Sequence, residues 1–385
     1  MNNRMNIPQG YKGSPLGIIP KEWEVKRLGD LCLDIYSGRN KTRIDSGTYS
    51  VYGSTGIIGK TNEYQYEGEK ILVARVGAHA GQVSLASGKY DVSDNTIIVE
   101  NKECYSLYFA YQQLIAANLN KMVFGSGQPL ITAGMLKRML VIYPPYEEQK
   151  HINSALKLWD IAIEKQSELI EKLKLRKRAL MQQLLTGKKR LPGFSGEWKR
   201  IKAGDIFMSS SVRGKRSEVL LSATQEHGVI PRDQLEGRVT MPTGNLESFK
   251  LVEVGDFVIS LRSFQGGIEY SEHRGIVSPA YTVLKPVKEI DKSFYRFYFK
   301  SADFIGHLAI AVIGIRDGKQ ISYEDFCFVK IPYPRIEEQK AISAILIQAE
   351  KEIELVNEKL ICLQSQKRGL MQQLLTGKIR TTNFE

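Results

Sequence analysis

The chain carries its own sequence twice. Residues 177–188 read KRALMQQLLTGK and residues 367–378 read KRGLMQQLLTGK, agreeing at eleven of twelve positions 190 residues apart. Glu147-Glu148-Gln149-Lys150 recurs at the same offset as Glu337-Glu338-Gln339-Lys340. Nearer the start of each half, Glu22-Trp23 with Gly29-Asp30 returns 175 residues later as Glu197-Trp198 with Gly204-Asp205. The growth of the offset places about fifteen extra residues in the second half's variable part. Midway, GEKILVAR (residues 68–75) aligns with GDFVISLR (residues 255–262). Each half is thus a divergent segment followed by a nearly invariant one, which predicts two similar modules related by an approximate two-fold axis.

The invariant segments predict long helices. Pro144-Pro145 and Pro334 suit a helix start, and the Glu-Glu pairs suit the positive end of the helix dipole. Thr186-Gly187 and Thr376-Gly377 supply the stops. Between them apolar positions alternate by four and three. In the first copy they are Ile152, Leu156, Trp159, Ile163, Gln166, Ile170, Leu173, Lys177, Leu180 and Leu184. In the second they are Ile342, Leu346, Ala349, Ile353, Val356, Leu360, Leu363, Lys367, Leu370 and Leu374. This is a heptad seam with the same lysine interruption in both copies. A helix over residues 147–186 would be about 60 Å long. That outruns a small domain, so the two copies are expected to pair with each other, antiparallel, as a spacer.

The divergent segments alternate strands and helices. Residues 70–77 (KILVARVG) and 95–99 (NTIIV) predict buried strands, and residues 106–119 (SLYFAYQQLIAANL) a helix. In the second half, residues 256–261, 281–284 and 294–310 follow in the same kind and order. The fold class expected is α+β: two globular mixed α/β modules joined by two long helices paired as an antiparallel coiled coil, with a pseudo-two-fold internal repeat.

Composition narrows the function. Lys plus Arg number 54 against 42 for Asp plus Glu, a formal net charge of +12 over 385 residues that suggests a polyanionic partner. No apolar stretch is long enough to span a membrane, and residues 1–10 do not read as a secretory signal. Cys32, Cys104, Cys327 and Cys362 form no CxxC pair, and the histidines at 79, 151, 227, 273 and 307 show no metal-binding spacing. A reduced, cytoplasmic protein without a metal site is expected.

Two motifs come close to catalysis and miss. GSTGIIGKT (residues 53–61) has five residues, not four, between Gly53 and the Gly-Lys-Thr, Ser54 where a glycine is needed, and no amphipathic helix behind it. A glycine-rich surface loop is the better reading. Tyr143-Pro144-Pro145-Tyr146 resembles an amino-methyltransferase motif, but Tyr143 cannot supply the acceptor geometry of the Asn or Asp that such a motif carries there, so it reads as a strand turning into a helix.

The basic loops are better candidates. Arg39, Lys41 and Arg43 lie in SGRNKTR, with Lys60, Arg75 and His79 beyond. Arg213, Lys215 and Arg216 lie in SVRGKRS, followed by Arg262, Gln265, Arg274, Arg316 and Lys319. Cations on glycine-rich loops can reach phosphates, and Arg or Gln can read base edges. Arg75 and Arg262 are the sharpest, each ending an apolar strand at equivalent positions before a glycine-containing turn.

On these residues the chain resembles the specificity subunits (HsdS type) of type I restriction-modification systems, over nearly its full length. GIIPKEWEVKRLGDLC and LPGFSGEWKRIKAGDIF are similar to the starts of that family's two target-recognition domains. GDFVISLRSFQGGIEYS with VSPAYTVL resembles a domain core, and the PPYEEQK, RIEEQK and LMQQLLTGK phrases resemble its conserved helices. The resemblance implies a first target-recognition domain at 1–143, a central conserved helix at 144–190, a second domain at 191–333 and a C-terminal conserved helix at 334–385. It implies double-stranded DNA as partner, read as a bipartite asymmetric site with one half-site per domain. It also implies a non-catalytic chain that binds no cofactor. Adenine-N6 methylation would fall to two methylation (HsdM-type) subunits carrying S-adenosylmethionine, and restriction to nuclease/translocase (HsdR-type) subunits using ATP and Mg. The closing TTNFE is short, so the C-terminal end is expected to complete little of the first domain's surroundings. Two other classes make different predictions. A bridging scaffold acting through its coiled coil would bind DNA weakly, and a nucleotide-dependent enzyme would use residues 53–61.

Overall fold

The computed structural model describes residues 7–122, 129–235, 246–261, 263, 267–312 and 321–381. Two compact units emerge, one built from residues 1–167 with 358–385 and the other from residues 168–357. The boundaries fall inside the two long helices, so each unit takes the start of one helix and the end of the other.

In the first unit β1 (Tyr11–Ser14) and β2 (Gly17–Pro20) form a hairpin. A sheet ordered β4-β11-β8-β9 uses β4 (Cys32–Ser37), β8 (Lys70–Ala74), β9 (Val83–Ala86) and β11 (Thr96–Asn101). A second, ordered β6-β5-β10-β7, uses β5 (Tyr49–Gly53), β6 (Gly56–Thr61), β7 (Tyr66–Glu67) and β10 (Lys89–Val92). The pair β3 (Glu24–Arg27) and β12 (Leu140–Tyr143) leads into the long helix. Successive strand residues point to opposite faces, and here both faces are covered. Ile71, Val73, Ile97 and Val99 enter the main core with Phe109 and Leu114 of α1 (Leu107–Ala116). The residues between them, Leu72 and Ile98, join Tyr66, Tyr90 and Val92 in a smaller core on the other side. That is why β8 and β11 read as unbroken apolar runs rather than alternating ones.

The second unit repeats the plan. Its central sheet is ordered β14-β21-β18-β19, from β14 (Phe207–Ser210), β18 (Phe257–Ile259), β19 (Glu269–Tyr270) and β21 (Thr282–Pro286). Flanking it are the pairs β15 (Leu221–Thr224) with β16 (Gly228–Pro231), β17 (Lys250–Val252) with β20 (Gly275–Val277), and β13 (Lys199–Lys202) with β22 (Lys330–Tyr333). Phe257 and Ile259 face the main core while Val258 faces the smaller one. The main core is aromatic, with Phe207, Phe294, Tyr295, Phe299, Phe304 and Phe326 all fully buried, each such side chain contributing roughly 1.5–3 kcal/mol.

The expected helix over residues 294–310 is two helices. Among the shorter helices, α2 (Ala133–Arg138) belongs to the first unit. After α3 (Tyr146–Leu184), the first long helix, come α4 (Lys292–Tyr298) and α5 (Ala302–Val312). Asp291 caps α4 by accepting from the Phe294 amide at 2.7 Å. Ser301 ends that helix and starts the next, its hydroxyl accepting from the Phe304 amide at 3.2 Å. The glycine-rich stretch of residues 53–61 is likewise not a loop. Tyr49–Gly53 and Gly56–Thr61 form an antiparallel hairpin with Ser54 and Thr55 at its tip, and no helix follows to receive a phosphate.

The long helices α3 and α7 (Ile336–Leu374) have 39 residues each, after α6 (Tyr323–Phe328). In the first unit Ile152 and Leu156 of α3 share a core with Met371, Leu374 and Leu375 at the end of α7. In the second, Ile342 and Leu346 of α7 share one with Leu184 and Leu185 at the end of α3. The helices therefore run antiparallel within each unit.

Each helix start is clasped to the other helix's end. Glu148, 2% exposed, accepts from the Trp23 indole at 2.7 Å and from the Arg380 guanidinium at 2.7 and 3.0 Å. Glu338, 1% exposed, accepts from Trp198 at 2.9 Å and from Arg190 at 2.7 Å twice. Each guanidinium also lies over its indole ring, at 5.9 and 5.5 Å. The next residue serves the domain: Gln149 accepts from the Ser106 amide and Gln339 from the Asp291 amide, both at 2.9 Å, where α1 and α4 begin. The repeated Glu-Gln and the repeated tryptophan are two ends of one construction. The C-terminal end accordingly completes more of the first unit than expected, because Arg380 supplies the clasp and the Gly377 carbonyl accepts from Tyr11 at 2.9 Å.

Candidate nucleic-acid interface

In the first unit one turn, residues 93–96 between β10 and β11, gathers three loops. The Gly38 amide donates to the Thr96 carbonyl at 2.9 Å and the Asn40 amide to Val92 at 3.0 Å, which holds Arg39 beside the turn. A Cβ on Gly38 would stand 2.3 Å from the Val92 carbonyl, so only glycine allows this approach. The Asn40 amide group is further pinned to Asp91 at 2.6 Å. From the β5–β6 hairpin tip, Ser54 donates to the Asn95 carbonyl at 2.8 Å. From the end of β8, the Arg75 amide donates to the same carbonyl at 2.9 Å and its guanidinium to the Asp94 carbonyl at 3.2 Å. Arg39, Asp94 and Asn95 are exposed and Arg75 is half-buried.

Arg43 and Lys60 come together nearby. Ile44 and Lys60 exchange backbone hydrogen bonds at 2.9 and 3.1 Å, and the Arg43 side chain lies against Gly59. Lys41, Arg43 and Lys60 are exposed. His79, also exposed, lies on the loop after β8 with its Nδ1 3.1 Å from Gln82, and no hydrogen bond ties it to the turn.

The second unit builds the equivalent turn, residues 278–281, from different side chains. Tyr281 donates back to the Ser278 carbonyl at 3.0 Å, and Lys250 donates to the Tyr281 carbonyl at 2.6 Å. Burial, and then the nearby Arg213 charge, hold the Lys250 ammonium below the usual lysine range. The loop of Arg213, Lys215 and Arg216 is exposed and fastened through Val212 to Leu251 at 2.8 Å and through Gly214 to Glu247 at 3.1 Å. Arg216 stands 3.9 Å from Glu247. Arg274 is placed elsewhere: Glu218 at 3.0 Å and Glu253 at 3.3 Å hold its guanidinium in an ion network with Lys285. Arg262, Gln265, Arg316 and Lys319 lie outside the described residues.

Lys250, Ser54 and Asn95 were not singled out from sequence. Asn95 opens NTIIV, which aligns with YTVL and marks the turn before each strand, whereas Ser54 and Lys250 reach the turns from distant segments that carry no such mark. On the helices, Ile152, Leu156, Ile170, Leu173, Ile342 and Leu346 are buried, while Trp159, Ile163, Ile353, Val356, Leu360 and Leu363 are half-buried.

Among the described residues no group of three or more His, Cys, Asp or Glu side chains could hold a metal ion, and no helix is long and apolar enough to cross a membrane. The cysteines are all free thiols, Cys32 buried, Cys104 and Cys362 exposed and Cys327 between.

Known proteins with the same plan bind this description to a family. The chain is 26% identical over 425 residues to a putative type I restriction enzyme MjaX specificity subunit of Methanocaldococcus jannaschii, covering 97% of both chains. It is 28% identical over 411 residues to the MjaVIII specificity subunit of the same organism, covering 95% of both. The fold is similar to the crystal structure of a type I restriction-modification S subunit from M. genitalium, with a TM-score of 0.57 and 17% identity over 92% of this chain and 96% of that one. A chain from a structural study of type I restriction-modification complex assembly gives 0.56 and 16% over 94% and 99%. The profile of the type I restriction modification DNA specificity domain matches twice, at residues 20–175 and 196–364. The chain belongs to the type I restriction-modification DNA specificity family.

Proposed function

We propose that this chain is the DNA-reading, non-catalytic subunit of a type I restriction-modification system, and that each unit reads one half of a bipartite asymmetric site. The observation that carries this is the turn built twice. The same sheet order presents the same turn in both units, yet Arg39, Arg75, Ser54 and Asn95 surround one while Arg213 and Lys250 surround the other. One scaffold with two unlike sets of polar groups suits a reader of two unlike sequences. The antiparallel helices act as the spacer and as the seat for two methylation subunits, and nuclease/translocase subunits complete the assembly. S-adenosylmethionine, ATP and Mg belong to those partners, and the complex works in the cytoplasm. Comparing host methylomes with and without the gene tests this: a two-part adenine-methylated motif should vanish with the gene, and a motif that survives would overturn the reading.

A further inference from the structure

The seam of each helix pair is interrupted at one place by charge, and the interruption reaches the domain. In the second unit the Glu350 carboxylate is divided between two cations. Its Oε1 accepts from Lys177 of the opposite helix at 2.5 Å, and its Oε2 from Arg296 of α4 at 2.8 Å. In the first unit Asp160 stands at the equivalent position, 190 residues earlier. Its Oδ1 accepts from Lys367 at 2.5 Å, and its Oδ2 from Tyr108 and, at 3.1 Å, Gln112, both on α1. Each carboxylate therefore joins three helices: its own, the opposite one and a short helix of its domain. The lysines are largely enclosed, 20% exposed for Lys177 and 12% for Lys367.

A half-buried charge in an apolar seam costs stability relative to leucine, and its best-attested benefit is to fix register. Sliding either helix by one residue would break the lysine bond and pull the carboxylate from the domain together. We propose that Asp160 and Glu350 are positioning residues, each seating a recognition domain on the helix pair in the same act that sets the helix register. The inference rests on the reading under Proposed function. The two knots differ in a way that makes it testable. Tyr108 and Gln112 can accept as well as donate, whereas Arg296 can only donate.

The test uses the full chain assembled with its methylation subunits. Initial methylation rates are read on a duplex bearing the wild-type site, with thermal melting alongside. Glu350→Gln, which preserves shape, should slow methylation roughly tenfold. The double exchange Lys177→Glu/Glu350→Lys should recover part of the melting temperature, from the remade pair between the helices, but not the rate, because the introduced ammonium faces Arg296. Adding Arg296→Glu should recover both. In the first unit, Asp160→Lys/Lys367→Asp should recover both without a third change. If the double exchange in the second unit restored the wild-type rate, or Glu350→Gln left it unchanged, the knot would be no more than a helix contact and the proposal would fall. A wild-type complex that methylated no two-part site would sink the specificity reading and this one with it.

Discussion

Arg380 and Glu148, 232 residues apart in sequence, meet through two hydrogen bonds of 2.7 and 3.0 Å, and Arg190 and Glu338 repeat the contact in the other unit. Because Glu148 is almost fully enclosed, removing its cation strands a buried carboxylate. We predict that Arg380→Ala destabilises the first unit by about 3 kcal/mol and leaves the second intact. Hydrogen exchange would show faster opening confined to residues 7–167 and 358–381. Loosening spread equally over both units would contradict the independence of the two clasps.

A second prediction separates the arginines by their surroundings. Arg39→Ala and Arg75→Ala should each weaken DNA binding by about 1–2 kcal/mol and lower the dependence of log affinity on log salt by about one. Arg274→Ala should leave that slope unchanged and instead destabilise the second unit, since Glu218 and Glu253 lose their shared partner. Fluorescence anisotropy titrations across a salt series distinguish the cases. An Arg274 variant with the steeper loss would place that residue on the DNA.

The helices offer a third. Inserting four residues, about one turn, near Leu173 and Leu363 together should lengthen the spacer in the methylated motif and leave both half-sites unaltered. A methylome showing an unchanged spacer would remove the helices from the measuring of distance.

Thiol chemistry supplies the fourth. Burial pushes the Cys32 thiol up from 9.0 to about 12, whereas Cys104 and Cys362 are exposed. At pH 8 roughly one Cys32 in 10⁴ is a thiolate, so maleimide should label Cys104 and Cys362 and spare Cys32 until the chain unfolds. Because the unfolded thiol ionises first, this group leaves stability untouched below about pH 9 and erodes it as pH rises toward 12. Labelling of Cys32 at the rate of the exposed thiols, read by mass spectrometry, would contradict its enclosure.

What could be read from sequence followed local pattern. β8 and β11 were visible because strands covered on both faces become apolar runs, and the long helices because a heptad repeats within a duplicated segment. The break at Ser301 was not visible, since the aromatic residues on either side fit one helical face as well as two. The clasp was legible only as a coincidence of repeats. Trp23 and Glu148 are 125 residues apart, and no local period links an indole to a carboxylate at that distance. Asp160 and Glu350 carry little signal for a related reason: they lie off the heptad seam, where a carboxylate reads as a solvated charge. Arg75 reads from sequence only as the end of a strand; its amide and guanidinium meet backbone carbonyls of the turn of residues 93–96, which carry no side-chain signature.

The first unit is discontinuous in sequence, while the second is a single stretch from 168 to 357. On a ribosome the order of completion is therefore reversed. The second unit has all its parts once residue 357 has emerged, but the first must wait, its Glu148 held by Trp23 alone, until Arg380 has followed. A nascent chain that stops between residues 357 and 380 is left with its first unit unfinished and its second one whole.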